Sequence, residues 1–329
     1  MRVLVFALVV GLICSNAAFA RDRLNLHLAF GARTPLYGGL VERLAAEVAK
    51  RSGGRLRARL HEPGALVPRF AYLDAVAQGS VEAAWGTPAV LSGRAPEAAL
   101  FTGVPFGLDP AAHLAWVRDG AGRPLYDALY ARFGVVGLPC VAVGPDGLAW
   151  LKKPLDEGAP FRGLRVRAFG LAGRILDQLG AASATGFGAD LAIGLATGAF
   201  DAAEAGVPAA DLAFGLHEVA PIYLYPSRLQ PATLIDVVVN RARWERLGAD
   251  GRATLDAACR ATAGFAEGAN REANAAALKA IAAAEVAVSA PSRGTVAALR
   301  GAWAAVRDRQ AAESEAFAAV IRAYPPAVD

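Results

Sequence analysis

Apolar and polar residues first alternate with a period of two, and the spacing then becomes helical. Residues 23–29 place Leu24, Leu26 and Leu28 on one side, which is typical of a strand. Residues 36–51 carry apolar side chains at helical spacing. The alternation continues with a strand at 55–61, a helix at 70–78 and a strand at 80–85. This β-α-β-α-β order predicts a parallel sheet with helices on both faces.

The middle of the chain repeats this alternation, and the last third is helical almost throughout. The predicted strands lie at 135–143, 147–152, 165–168 and 201–204, and the predicted helices at 111–133, 171–179 and 190–195. Gly120 and Pro124 are expected to interrupt the helix at 111–133. A long helix is predicted at 250–279, and at least one more long helix at 296–324. No charged or low-complexity linker is visible, so strands or long helices are expected to cross between lobes.

The first twenty residues have the organisation of a secretory signal peptide. A basic residue precedes an apolar stretch at 3–14, and Ala18-Phe19-Ala20 forms a cleavage pattern. Ser15 and Asn16 interrupt the apolar run before it reaches the about 20 residues of a membrane span. We therefore expect cleavage of residues 1–20 and a periplasmic protein. Roughly 309 residues remain, which favours two lobes over one core.

Charge and cysteine content exclude several classes of function. The formal net charge of +4 is small, and acids are interleaved among the arginines, so nucleic acid is not an expected partner. Cys140 and Cys259 could pair or remain buried thiols, and the sequence leaves both open. The histidines are too scattered for a zinc site, with His27 and His61 expected at exposed or edge positions of strands. No nucleophile elbow, P-loop or dinucleotide motif is present in strand context, so we do not expect an enzyme.

The most informative stretch is FRGLRVRAFGLAG at 161–173, which is followed by TGAFDAAE at 197–204. Arg167 stands near the end of a predicted strand that enters a glycine-rich turn and a helix. Ligands of open α/β sheets bind beyond the carboxyl ends of strands. A guanidinium there suits a carboxylate, because its planar fork can donate two parallel hydrogen bonds. Glu204 ends a second strand in the same way, so both side chains are candidates for one small-anion site.

These stretches resemble the DctP-type solute-binding proteins of TRAP transporters, most closely the branch that binds 2-oxo and 2-hydroxy acids. Shorter matches follow in the same order over nearly the whole mature chain: GALVP at 64–68, VPFGL at 104–108, YLYP at 223–226 and WERL at 244–247. The resemblance implies a two-lobed α/β fold of the type II periplasmic-binding-protein kind. Two mixed sheets would be flanked by helices, with long helices at the C-terminus. We expect one lobe from 21–145 and about 235–265, and the other from 146–234 and parts of 266–329.

The resemblance also implies roles for individual residues. In the family, the arginine of the G-L-x-x-R motif holds the ligand carboxylate, a role that Arg167 would inherit. The branch binds a cation beside the ligand, and here Asp146, Glu204 and the carbonyl of Ala205 take the positions of its ligands. Two carboxylates would favour Ca²⁺ over Na⁺. The alternative is that no cation binds and Asp146 forms only a turn with its neighbours.

The expected pocket departs from that branch at several positions. Ala89-Val90 replaces a pair of tyrosines, and Ala205 replaces a tryptophan. The cleft should therefore be wider, and the ligand larger or more apolar than pyruvate or lactate. Trp85, Trp150 and Phe169 complete the predicted substrate-binding set.

The expected function is that of a periplasmic receptor which binds a small organic carboxylate for uptake by TRAP-type permease subunits. The alternative is a periplasmic sensor or carrier on the same fold, with a larger, more apolar ligand and no permease partner. The resemblance further implies a homodimer that exchanges the C-terminal helix at 296–324.

Overall fold

The computed structural model describes residues 22–186 and 189–326, without the side chain of Ala189. The signal-peptide pattern at 1–20 lies outside the described residues. The described strands form two sheets, each of which contains parallel and antiparallel neighbours. This arrangement confirms the predicted fold class of two mixed sheets flanked by helices.

The first sheet has five strands. Their spatial order is β2 (Leu56–His61), β1 (Asp22–Leu28), β3 (Ala83–Gly86), β10 (Thr233–Asn240) and β4 (Val135–Val143). The predicted parallel pairing is confirmed for β1, β2 and β3. The sheet becomes mixed because β10 enters antiparallel between β3 and β4. Seven of the eight residues of β10 are buried, as expected for a strand covered on both faces.

The second sheet has six short strands. Their order is β11 (Ala287–Ser289), β9 (Ile222–Leu224), β5 (Ala149–Leu151), β8 (Ala202–Ala203), β6 (Arg165–Arg167) and β7 (Ala182–Ala184). The strands β6, β7 and β8 run parallel, and β5 runs antiparallel to β8 and β9. The carboxyl ends of β6 and β8 therefore lie side by side, which places their last residues at one edge.

Twelve α-helices cover the sheets within the described residues. They are α1 (Tyr37–Arg51), α2 (Tyr72–Gln78), α3 (Ala98–Thr102), α4 (Pro110–Asp119), α5 (Gly122–Ala131), α6 (Gly170–Gln178), α7 (Ala189–Ala196), α8 (Pro208–Ala213), α9 (Arg241–Arg246), α10 (Gly248–Ala283), α11 (Arg293–Glu313) and α12 (Glu315–Ala323). The expectation that Pro124 interrupts a helix is wrong. Pro124 lies in the first turn of α5, where no backbone N–H is needed. None of these helices is both long and apolar enough to cross a membrane.

His27 corrects an expectation from the sequence. The side chain is fully buried, because β1 is an inner strand of a sheet with helices on both faces. Burial lowers the pKa of His27, and its Nε2 donates to the Arg69 carbonyl at 3.3 Å. His61 does lie on the edge strand β2, where it is partly exposed.

The long helix α10 is linked covalently to the first sheet. Cys259 on α10 and Cys140 on β4 form a disulfide, which resolves the question that the sequence left open. The two cysteines are 119 residues apart in the chain. A link over so long a segment restricts the unfolded chain and stabilises the fold by about 5 kcal/mol in the chain-entropy model.

The C-terminal helix α12 packs on its own chain. Trp116 Nε1 donates to the Ala323 carbonyl at 3.0 Å, and the Tyr324 hydroxyl accepts from the Leu108 amide at 2.9 Å. Tyr324 also lies 3.2 Å from Nδ1 of the buried His113. These bonds tie the last described helix to α4, and exchange of this helix between protomers stays a prediction.

Candidate ligand-binding site

A cavity of about 160 Å³ lies where strand ends of the two sheets meet. From the first sheet, Phe30 follows β1, Thr87 follows β3 and Thr233 begins β10. From the second sheet, Arg167 ends β6 and Glu204 follows β8. The cavity therefore occupies the position where open α/β sheets bind ligands.

Arg167 is held firmly at the cavity wall and is only 4% exposed. Its Nε donates to the Gly186 carbonyl at 2.7 Å, and its Nη1 donates to the Glu204 carbonyl. The same Nη1 lies 3.6 Å from Oε2 of Glu204. Because β6 and β8 are neighbours, the Glu204 amide also donates to the Arg167 carbonyl at 2.8 Å. Backbone pairing thus brings together the two residues that the sequence placed at strand ends.

Asp146 is the second buried carboxylate of the cavity, with 6% exposure. Its amide donates to the Gln230 carbonyl at 3.1 Å, and its carbonyl accepts from the Ser227 amide at 2.8 Å. Oδ2 accepts from the Thr233 hydroxyl at 3.5 Å, whereas no group in the described chain donates to the buried Oδ1. Burial, and after it the nearby Glu204 charge, raise the pKa of Asp146 well above its ordinary value.

The residues around Asp146 and Glu204 fit a bound cation. Both carboxylates are buried, and burial raises the pKa of Glu204 while Arg167 opposes the shift. A cation would provide the partner that the buried Oδ1 of Asp146 lacks among the described residues. Residues 22–186 and 189–326 contain no cluster of three or more metal-ligating side chains. Ca²⁺ takes six to eight oxygen ligands, so the ligand, backbone carbonyls and water would have to complete the shell.

Asp211 is a third buried acid, which sequence reasoning missed. It lies on α8, and its Oδ2 accepts from Trp150 Nε1 at 2.9 Å and from the Tyr223 hydroxyl at 3.0 Å. Its Oδ1 would lie 3.6 Å from a Cβ placed on Gly206, a cavity-lining residue. Burial raises the pKa of Asp211 to about 8. The only sequence signal is a single acid within an apolar stretch at 207–214.

The other residues that the sequence placed at the pocket are divided between the cavity and the core. Phe169, Ala205 and Ala89 line the cavity. Trp85 and Trp150 do not line it, contrary to expectation, because both side chains are fully buried in hydrophobic cores. Trp150 instead stacks on Tyr223, with ring centroids 4.1 Å apart, and its Nε1 donates to Asp211.

Several polar and aromatic lining residues had not been predicted. They are Tyr37, Arg69, Phe70, Thr87, Thr102, Gln230 and Thr233. Tyr37 is buried and stacks on Phe30 at a centroid distance of 4.8 Å, and burial raises the pKa of its phenol well above the ordinary value. Arg69 and Phe70 directly follow the GALVP match, which was the one available hint.

The chain matches a known protein family. Residues 27–314 match the family model described as bacterial extracellular solute-binding protein, family 7, or DctP. The chain belongs to this family. The resemblance noted in the sequence is thereby confirmed.

Individual relatives show the same affiliation. A monocarboxylate 2-oxoacid-binding periplasmic protein of Nostoc sp. is 34% identical over 207 residues, which cover 63% of this chain and 57% of that protein. A TRAP periplasmic solute-binding protein of Pseudoalteromonas atlantica T6c, solved with sodium and pyruvate, is 26% identical with a TM-score of 0.87, covering 92% and 93% of the two chains. One from Bordetella bronchiseptica RB50, a dimer with calcium and picolinate, is 27% identical with a TM-score of 0.86, covering 91% and 89%.

The buried acids of this solute-binding protein lead to a prediction about pH. A raised pKa means that the folded state takes up a proton, so stability without ligand falls as pH rises from about 4 to 8. Each such acid contributes at most about 1.4 kcal/mol per pH unit. We expect the free energy of unfolding of Asp211→Asn to fall less steeply with rising pH than that of the wild type, up to about pH 8, because burial raises the pKa of Asp211 to about 8.

Asp236 provides the matched comparison. It accepts hydrogen bonds from the hydroxyls of Tyr126 and Tyr130 in the core, and burial raises its pKa to about 6. We expect Asp236→Asn to change the pH dependence of the free energy of unfolding only below about pH 6. Urea unfolding from pH 4.5 to 8.5 measures both effects, and parallel profiles for the wild type and Asp211→Asn would contradict the assignment.

Proposed function

We propose that this protein is a periplasmic receptor that binds a small organic carboxylate in the cavity and delivers it to TRAP-type membrane subunits. The observation that carries the proposal is Arg167, a buried arginine fixed at the carboxyl end of β6 in the cavity wall. A guanidinium in this position neutralises a carboxylate and fixes its orientation. We further propose that the protein acts by binding alone and catalyses no reaction.

A cation explains how a carboxylate can bind beside two buried acids. Without one, the ionised forms of Asp146 and Glu204 repel an anionic ligand, or a proton must neutralise Asp146, whose pKa is raised by burial and by Glu204; Arg167 compensates only one of the two charges. We infer that Asp146, Glu204 and the Ala205 carbonyl hold Ca²⁺ or Na⁺, with two carboxylates favouring Ca²⁺. The cation would supply positive charge for the ligand carboxylate. The relatives solved with sodium and pyruvate and with calcium and picolinate support this inference.

The cavity wall supports a ligand larger than a three-carbon acid. Ala89 and Ala205 contribute short side chains, and the rings of Phe30, Phe70 and Phe169 contribute apolar surface.

The strand distribution supports the proposed division into two lobes. Strands of the first sheet lie within 22–143 and 233–240, and those of the second within 149–224 and 287–289. We propose that the lobes close around the ligand, because Arg167 and Glu204 come from one sheet and Thr87 and Thr233 from the other.

Thermal unfolding with a carboxylate panel tests this function. The protein is first unfolded and refolded to remove a retained ligand, and then measured with mono- and dicarboxylates, neutral sugars and amines, with Ca²⁺ or with a chelator. We expect several degrees of stabilisation by a subset of carboxylates, since a ligand at 100 times its Kd adds about 2.7 kcal/mol. Stabilisation by sugars or amines alone would overturn the proposal.

A further inference from the structure

The long helix α10 extends from the first sheet to the second. Its first half belongs to the hydrophobic core of the first sheet, which Ala266 joins. Its end belongs to a core of the second sheet, which Ile281 joins. Between these two residues the helix carries two amides one turn apart, Asn270 and Asn274. The amides therefore lie where the helix passes from one sheet to the other.

Asn270 bonds to both backbone groups of Gly144. Its Oδ1 accepts from the Gly144 amide at 3.2 Å, and its Nδ2 donates to the Gly144 carbonyl at 2.6 Å. Gly144 directly follows β4 of the first sheet and precedes Asp146 by two residues. A side-chain amide has one donor group and one acceptor, so it can pair with the N–H and the C=O of one residue as a neighbouring strand would. Asn270 thereby fixes the segment that brings Asp146 to the cavity.

Asn274 continues the same network toward the other side of the site. Its Nδ2 donates to Oδ1 of Asn270 at 2.9 Å, and its Oδ1 accepts from the Ala209 amide at 3.1 Å. Asn274 is only 4% exposed. Ala209 lies at the start of α8, a few residues after the second acid of the site. The Gly147 amide also donates to the Gly206 carbonyl at 2.8 Å, so the two segments that carry the buried acids are joined directly as well.

Resting on the proposed function and its cation, we propose that Asn270 is a positioning residue for the cation site. It does not line the cavity, so it acts through Gly144 on the direction of the Asp146 carboxylate. The backbone of Asp146 is otherwise bonded to Gln230 and Ser227, in the chain segment that returns from the second sheet to the first. Ligating groups must be held within about 0.5 Å of their productive positions, so loss of the bonds from α10 weakens the site.

Titration of Ca²⁺ alone into the refolded, ligand-free protein tests this inference. We expect Asn270→Ala to raise the Kd for Ca²⁺ at least 10-fold in calorimetry, because the segment before Asp146 loses both bonds to α10. Asn270→Gln carries the same amide on a longer side chain and should retain part of the affinity. Glu272→Ala removes an exposed side chain from the same helix and should bind Ca²⁺ as the wild type does.

A double-mutant cycle with Asp146→Ala separates positioning from a general loss of structure. The probe is the carboxylate that stabilises the wild type most in the thermal panel, titrated in the presence of Ca²⁺. In the wild-type background, Asn270→Ala should raise the Kd of this carboxylate toward its value in chelator. In the Asp146→Ala background, the side chain to be positioned is absent, so Asn270→Ala should change that Kd by less than about 2-fold.

The outcomes separate this inference from the proposed function. An equal loss in both backgrounds overturns the role of Asn270, because the amide would then maintain only the fold. A Kd for Ca²⁺ in Asn270→Ala equal to that of the wild type also overturns it, and so does a wild type that binds carboxylates but no Ca²⁺. In each of these cases the receptor function stands. If no carboxylate of the panel binds the wild type, the proposed function fails, and this inference fails with it.

Discussion

Carboxylate binding should be greatly weakened when Arg167 is replaced by alanine, with the Kd rising at least about 30-fold. Truncating one partner of a buried charge pair costs about 2–5 kcal/mol, which corresponds to a rise in Kd of about 30-fold to a few thousand-fold. The loss should appear for every carboxylate that binds, since the variant removes the group that holds the carboxylate itself. Isothermal titration calorimetry measures the effect directly.

Arg165 provides the matched control for this variant. It lies two residues earlier on β6, where it is exposed and pairs with Asp201 at 2.8 Å. Arg165→Ala should bind as the wild type does. Arg167→Lys keeps the charge and loses the planar fork, so we expect intermediate affinity and near-normal unfolding. An unchanged Kd in Arg167→Lys and Arg167→Ala would show that the carboxylate binds elsewhere.

The second large effect concerns the cation. We expect a chelator to weaken carboxylate binding by the wild type at least 10-fold, because only Arg167 would then offset the charges of Asp146 and Glu204 near the ligand. Asp146→Gln removes one of the two charges and keeps a side-chain carbonyl oxygen at this position. Carboxylate binding by this variant should therefore depend much less on Ca²⁺. In the presence of chelator, the variant should bind carboxylates more tightly than the wild type does.

The ratio of Kd values with Ca²⁺ and with chelator is the readout for both proteins. A general loss of stability would weaken binding under both conditions and leave this ratio unchanged. Asp74→Asn, at an exposed acid on α2, is the control and should keep the wild-type ratio. A wild-type ratio near one would show that no cation takes part.

The position of Arg167 and Glu204 could be predicted because both residues end short strands before glycine-rich or polar segments. Parallel strands bring such ends together at one edge, so spacing along the chain was sufficient. Asp146 was reached only through the resemblance, because its neighbours Gln230, Ser227 and Thr233 are more than 80 residues away. Their arrangement depends on tertiary structure that local patterns do not encode.

The strand β10 and the residue Trp85 show where the patterns fail. In the segment 233–240, Asp236 separates Leu234 and Ile235 from three consecutive valines, so neither the period of a strand nor that of a helix is visible. Trp85 follows the alternation of β3, but alternation does not tell which side faces the cavity. Asp211 and Arg69 acquire their environment from distant segments, namely Trp150 with Tyr223 and the end of β1.

A crystal structure of the protein purified with its retained ligand would show what the cavity binds. We expect density for an organic acid in the cavity, with a carboxylate on the Arg167 guanidinium and an ion between Asp146 and Glu204. A ligand without a carboxylate, or an acid bound outside this cavity, would contradict it.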